Sequence, residues 1–176
     1  MALPAVRSPK ARATAFTRAA IVVVVVLGLD QLTKHTLAGD IAVGEQRRFV
    51  PGVKFVHVRN NGVAFGFLSG GGALLLIFTF VALGGLAGYL ARRPERRWLW
   101  LPTGLLIGGA VGNLIDRLAN GAVTDFIKLP HWPAFNLADM AITFGVIALA
   151  LVVERGTRGE AQATAGAAGA RAGEGR

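Results

Sequence analysis

GGAVGNLIDRLANGAVTDF, residues 108–126, begins as an apolar helix and ends in charge. Its first half suits a bilayer. Its second half carries Asn113, Asp116, Arg117 and, after a short break, Asp125. Asn113, Asp116 and Arg117 stand at i, i+3 and i+4, so they share one side of a helix. An ionisable group on a membrane helix costs roughly 3 kcal/mol or more unless it faces protein or water. The stretch therefore predicts a membrane helix whose last turns present a polar face to the rest of the protein.

The remaining sequence fits that expectation. The 176 residues are 53% apolar. There is no cysteine, which excludes disulfides, thiolate catalysis and a cysteine-based zinc site. The net charge is +9, but the basic residues flank apolar runs instead of forming one patch, so no nucleic-acid partner is expected. About 20 apolar residues cross a bilayer as a helix. Residues 17–37, 70–91, 98–118 and 135–153 qualify. The run IVVVVVLGL at 21–29 has strand propensity, but a lone strand in lipid leaves its backbone unpaired. The basic, then apolar N-terminus resembles a secretory signal. No small-x-small cleavage site follows it, however, and an uncleaved first helix is expected.

VKFVHVR, residues 53–59, partly alternates after a Pro51-Gly52 turn and reads as a short strand. The predicted fold class is thus an all-α integral membrane protein: four transmembrane helices with a small extracytoplasmic β element. A basic tail (1–16) precedes the four-helix membrane domain (17–155). A small, polar tail (156–176) follows it and is expected to be disordered.

Orientation follows from short-loop charge. Arg7, Lys10, Arg12 and Arg18 precede the first span, Arg92, Arg93, Arg96 and Arg97 join the second and third, and Arg155 and Arg158 follow the fourth. Both termini are then cytoplasmic, and loops 38–69 and 119–134 lie outside. Trp98 and Trp100 fall at the inner interface and Trp132 at the outer one. At about 1.5 Å of rise per residue, Asp30, Asp116, Asp125 and Asp139 all reach the outer interface. Lys34, Asn113, Arg117, Asn136 and the loop NNGVAFGFL (60–68) come to the same depth.

Several of these residues also have a plain structural reading. Asp30 and Lys34, at i and i+4, form an ion pair at a helix end, and Asp116 with Arg117 reads similarly. Asn136 can cap the fourth helix, and NNG can be a turn. His35, His57 and His131 lack metal-ligand spacing, so no metal site is expected. Asp125 and Asp139 are less easily absorbed. Neither has a base at i±3 or i±4, apart from Lys128 for Asp125. Two carboxylates sharing a site cannot both ionise easily, so such a pair retains a proton. The ionised member can draw a proton from water while the other donates to a carbonyl oxygen. That chemistry needs no metal or cofactor. The alternative is a small proton- or cation-coupled transporter, which would place acids at mid-membrane and often carry an inverted repeat. Here the acids gather at one face and no repeat is visible. A non-catalytic lipid-binding protein is a third reading.

Five motifs resolve the choice. DQLTK (30–34), NNGVAF (60–65), GNLIDR (112–117), VTDF (123–126) and FNLADMAI (135–142) occur in the order found in the lipoprotein signal peptidase (signal peptidase II) family, which the chain resembles from about residue 28 to 153. The resemblance implies an aspartic endopeptidase of the bacterial inner membrane, surrounded by membrane lipids; a monomer suffices for this chemistry. Its substrate would be a prolipoprotein already carrying diacylglycerol on a cysteine, cut just before that cysteine. By the same matching, Asp125 and Asp139 are the catalytic dyad. Asp30, Lys34, Asn60, Asn113, Asp116, Arg117 and Asn136 are binding or supporting residues.

Overall fold

The structure, a computed structural model, describes residues 9–61 and 72–173. Among these, α1 (Pro9–Gly39) is followed by β1 (Gln46–Val50), β2 (Val53–Asn60), α2 (Gly72–Arg92), α3 (Trp100–Asn120), β3 (Val123–Lys128) and α4 (Leu137–Gly173). Most of the NNGVAF motif, residues 62–65, lies outside the described residues.

The helices are inverted relative to a water-soluble bundle. Ile21, Val24, Val25 and Leu32 of α1, Phe80 and Val81 of α2, and Phe144 and Ile147 of α4 are exposed, whereas Asp30, Lys34, Asn113, Asp116 and Asn136 are buried. An apolar exterior around a polar interior is the arrangement a bilayer favours. The helical stretches Pro9–Leu37 and Leu137–Gly159 are each long and apolar enough to cross a membrane.

Helix α3 is the centre, with α1 and α4 packed on it. Its glycines permit the approach, as small residues do between membrane helices. A Cβ at Gly104 would lie 2.5 Å from Val22 Cβ, and one at Gly109 would lie 2.5 Å from the Ala138 carbonyl oxygen. At the opposite end from the polar cluster, Ala15, Ala19, Leu90 and Leu99 form a small apolar core against Tyr89 and Trp100.

Three differences from the sequence reading have clear causes. First, α1 is already helical at Pro9, ahead of residue 17, because ARATAF continues in good helix formers. Second, α4 carries helical backbone to Gly173, where disorder was expected from residue 156. The segment is rich in Ala, the strongest helix former, and its Gly content does not end the helix. Third, the small β element, of which the sequence marked only residues 53–59, is a three-stranded antiparallel sheet of order β1-β2-β3. Residues 123–128, read as loop, form β3, because VTDFIK supplies β-branched and aromatic residues that β2 pairs across the sheet.

Two connections aim this sheet. Helix α3 ends at Gly121, whose φ of 72° is left-handed and whose N–H reaches the Arg117 carbonyl at 3.0 Å. This is the C-terminal cap glycine favours, and it turns the chain directly into β3. Beyond β3, Phe135 and Ile127 exchange backbone hydrogen bonds, each 2.9 Å, immediately before α4 begins. The strand bearing Asp125 and the helix start bearing Asp139 are thereby tied together.

Candidate active site

The cluster is built around the first turn of α4. A helix start leaves backbone N–H groups without helical partners. Asn136, the residue before α4, accepts the Asp139 N–H on Oδ1 at 2.9 Å, and its own N–H donates to Asp139 Oδ2 at 3.2 Å. This reciprocal pattern is a capping box made from Asn and Asp. Asp30 of α1 accepts the Ala138 N–H on Oδ1 at 2.9 Å, so a second helix supplies a cap. The Asp139 side chain is thus fixed at a helix N-terminus, where the helix dipole favours negative charge.

Asp125 approaches from the sheet. Asn60 pairs with Val123 across β2 and β3, which puts it diagonal to Asp125 on the same face. Its Nδ2 donates to Asp125 Oδ2 at 2.9 Å. Asn136 Nδ2 donates to Asp125 Oδ1 at 2.8 Å. Asn136 therefore holds Asp139 through one set of atoms and Asp125 through another. Asn113 of α3 completes the frame, donating from Nδ2 to Asp139 Oδ1 at 2.8 Å and accepting from Asn136 Nδ2 at 3.1 Å.

Asp125 is only 1% exposed. Burial pushes its carboxyl from the ordinary 3.8 up to about 6. The Asn60 hydrogen bond opposes that shift, the neighbouring Asp139 charge reinforces it, and the Asn136 bond and the Lys34 charge pull it back down.

Beneath the pair lies a buried ionic support. Lys34, 5% exposed, bridges Asp30 at 2.8 Å and Asp116 at 3.0 Å, and donates to Asn113 Oδ1 at 3.2 Å. Asp116 Oδ2 accepts the Thr124 N–H at 3.0 Å, anchoring β3 one residue before Asp125. The sequence reading gave Arg117 the task of holding Asp116. The structure assigns it to Lys34: among the described residues Arg117 makes no ion pair, and its Nη1 donates to the Asn113 carbonyl at 3.3 Å. An i+1 neighbour on a helix points away from its partner, whereas Lys34 comes across from α1.

Every supporting residue named from the sequence therefore has a side-chain contact within this network, Arg117 through the Asn113 carbonyl alone. Gln31 was not anticipated. Its Nε2 lies 3.2 Å from Asp30 Oδ2, 3.2 Å from Asp116 Oδ1 and 3.3 Å from the Gly112 carbonyl, and so spans α1 and α3. It sits inside DQLTK, but helical spacing separates it from the Asp30–Lys34 face. The only available signal was its place inside the DQLTK motif. Among the described residues no group of His, Asp and Glu side chains is arranged to hold a metal ion.

Comparison with known proteins gives a consistent result. The family model described as signal peptidase (SPase) II matches residues 22–154. A protein named lipoprotein signal peptidase from Shewanella halifaxensis is 44% identical over 139 residues, covering 74% of this chain and 82% of its own. One of the same name from Moorella thermoacetica is 41% identical over 131 residues, covering 73% and 87%. A solved structure described as a bacterial membrane enzyme, determined by the in meso method, superposes with a TM-score of 0.72 at 32% identity, covering 77% of this chain and 91% of that one.

Proposed function

The chain belongs to the signal peptidase II family of aspartic-type membrane proteases, and from that premise we propose that it removes the signal peptide from diacylglyceryl-modified prolipoproteins, with Asp125 and Asp139 as its catalytic pair. The observation that carries this reading is the double role of Asn136, which hydrogen-bonds both aspartates at once. A water held between the carboxylates loses a proton to the ionised member and attacks the peptide carbonyl. The protonated member donates to the carbonyl oxygen, stabilising the tetrahedral intermediate. Collapse breaks the C–N bond, and a proton passes to the departing amine of the lipidated cysteine. Asn60, Asn113 and Asn136 fix the carboxylates in orientation throughout. No cofactor is required by this sequence of steps.

In this reading all four helices span the membrane, with both termini in the cytoplasm and the sheet outside. Arginine-rich connections at one end and the buried polar cluster at the other support that direction. The scissile bond would then meet the dyad at the extracytoplasmic interface, and one protomer contains the whole cluster. The direct test is a gel-shift cleavage assay on purified protein with a diacylglyceryl-modified prolipoprotein, beside Asp139→Asn. Cleavage by the wild type alone supports the dyad. Cleavage by both removes Asp139 from it, and cleavage by neither, in folded protein, refutes the substrate assignment.

A further inference from the structure

The sheet carries a second feature that the peptidase chemistry does not use. Arg48 pairs with Lys54 across β1 and β2, and Lys54 pairs with Lys128 across β2 and β3. Three cations therefore stand in one row across all three strands. Like charges directly opposite one another destabilise a sheet. No carboxylate relieves them among the described residues: Lys54 Nζ donates to Gln46 Oε1 at 3.2 Å and Lys128 Nζ to the Trp132 carbonyl at 2.7 Å. The row lines a cavity of about 500 Å³ whose wall also includes His131 and contains no acid. His131 is held at a left-handed φ of 59°, an uncommon conformation for a residue with a Cβ, in the turn that closes this cavity.

We propose that this cavity binds the phosphodiester headgroup of an anionic phospholipid in the outer leaflet. The phosphate supplies the negative charge that this row of cations lacks. The flank argues for a lipid over a free anion: Trp132, beside Lys128 and next to His131, is 62% exposed, and an aromatic side chain of this kind settles at the headgroup level of a bilayer. The site rests on the outside placement of the sheet proposed above. It would seat the sheet against the membrane surface and so hold β3, and with it Asp125, at constant depth.

The test reads Trp132 alone, in full-length protein carrying Trp98→Phe and Trp100→Phe. The protein is placed in phosphatidylcholine bilayers containing brominated phosphatidylglycerol or, as reference, brominated phosphatidylcholine. Trp132 quenching should show a preference for phosphatidylglycerol of roughly fivefold or more, the factor one Lys or Arg contributes beside an anionic surface. Arg48→Gln, Lys54→Gln and Lys128→Gln together should abolish the preference while prolipoprotein cleavage in detergent continues. Equal quenching by the two lipids, or a preference that survives the triple change, overturns the proposal. So does its loss to excess inorganic phosphate at constant ionic strength, which would make this a soluble-anion site. The readout needs no cleavage, so failure of the lipid site and failure of the peptidase reading are separable.

Discussion

Replacing Gly112 by Ala tests the support under the dyad with a single methyl group. An added Cβ would lie 2.6 Å from Asp30 Oδ2 and 3.3 Å from Asp30 Cγ. The carboxylate cannot swing aside freely, because Oδ2 is paired with Lys34 at 2.8 Å and Oδ1 caps Ala138 at 2.9 Å. On helix propensity alone Ala should stabilise α3 by about 1 kcal/mol. Overpacking costs about 1–3 kcal/mol, and losing one charge-assisted hydrogen bond costs about 1.5–3 kcal/mol. The net expectation is destabilisation by about 2–4 kcal/mol. In an Asp30→Ala background the obstacle is gone, and the same change should become neutral or stabilising. Reversible unfolding in mixed micelles, followed by tryptophan fluorescence for the wild type, both single variants and the double variant, measures this coupling. An equal penalty for Gly112→Ala in both backgrounds would refute the steric account and, with it, the claim that Asp30 is rigidly held.

Three further outcomes are expected. Lys34→Met strands Asp30 and Asp116 without their shared cation and should cost about 3–5 kcal/mol of stability, read in the same unfolding assay. Asn136→Ala removes the helix cap, for about 1 kcal/mol, and frees both aspartates, so kcat should fall far more than KM rises in the cleavage assay. The Asp125 carboxyl lies higher in the folded protein, at about 6 against an ordinary 3.8, so the folded state holds that proton more tightly and stability falls as pH rises from about 4 through 6. That shift corresponds to about 3 kcal/mol, so Asp125→Asn should be inactive yet more stable than the wild type above pH 6, with no difference below about pH 4; equal pH dependence in the two proteins would contradict it.

The helices were legible in the linear chain because membrane segments depend on local quantities. Length, apolar content and backbone self-sufficiency in lipid are properties of one segment at a time. The i, i+3 and i+4 spacings likewise marked Asn113 with Asp116, and Asp30 with Lys34, before any packing was known, and the five ordered motifs carried the family. What could not be read locally depended on partners far along the chain. β3 looked like loop because its strand character comes from pairing with β2, and the Asn60–Asp125 bond joins residues 65 apart. Lys34 was read with Asp30 alone; its bridge to Asp116 exists because glycines let α1 and α3 approach closely. Gln31 became part of the support for the same reason. Residue types and their depth follow from hydrophobicity and helical rise. Which atom meets which, and hence how one asparagine can hold two aspartates, follows from the capped start of α4 meeting the strand that Gly121 turns toward it.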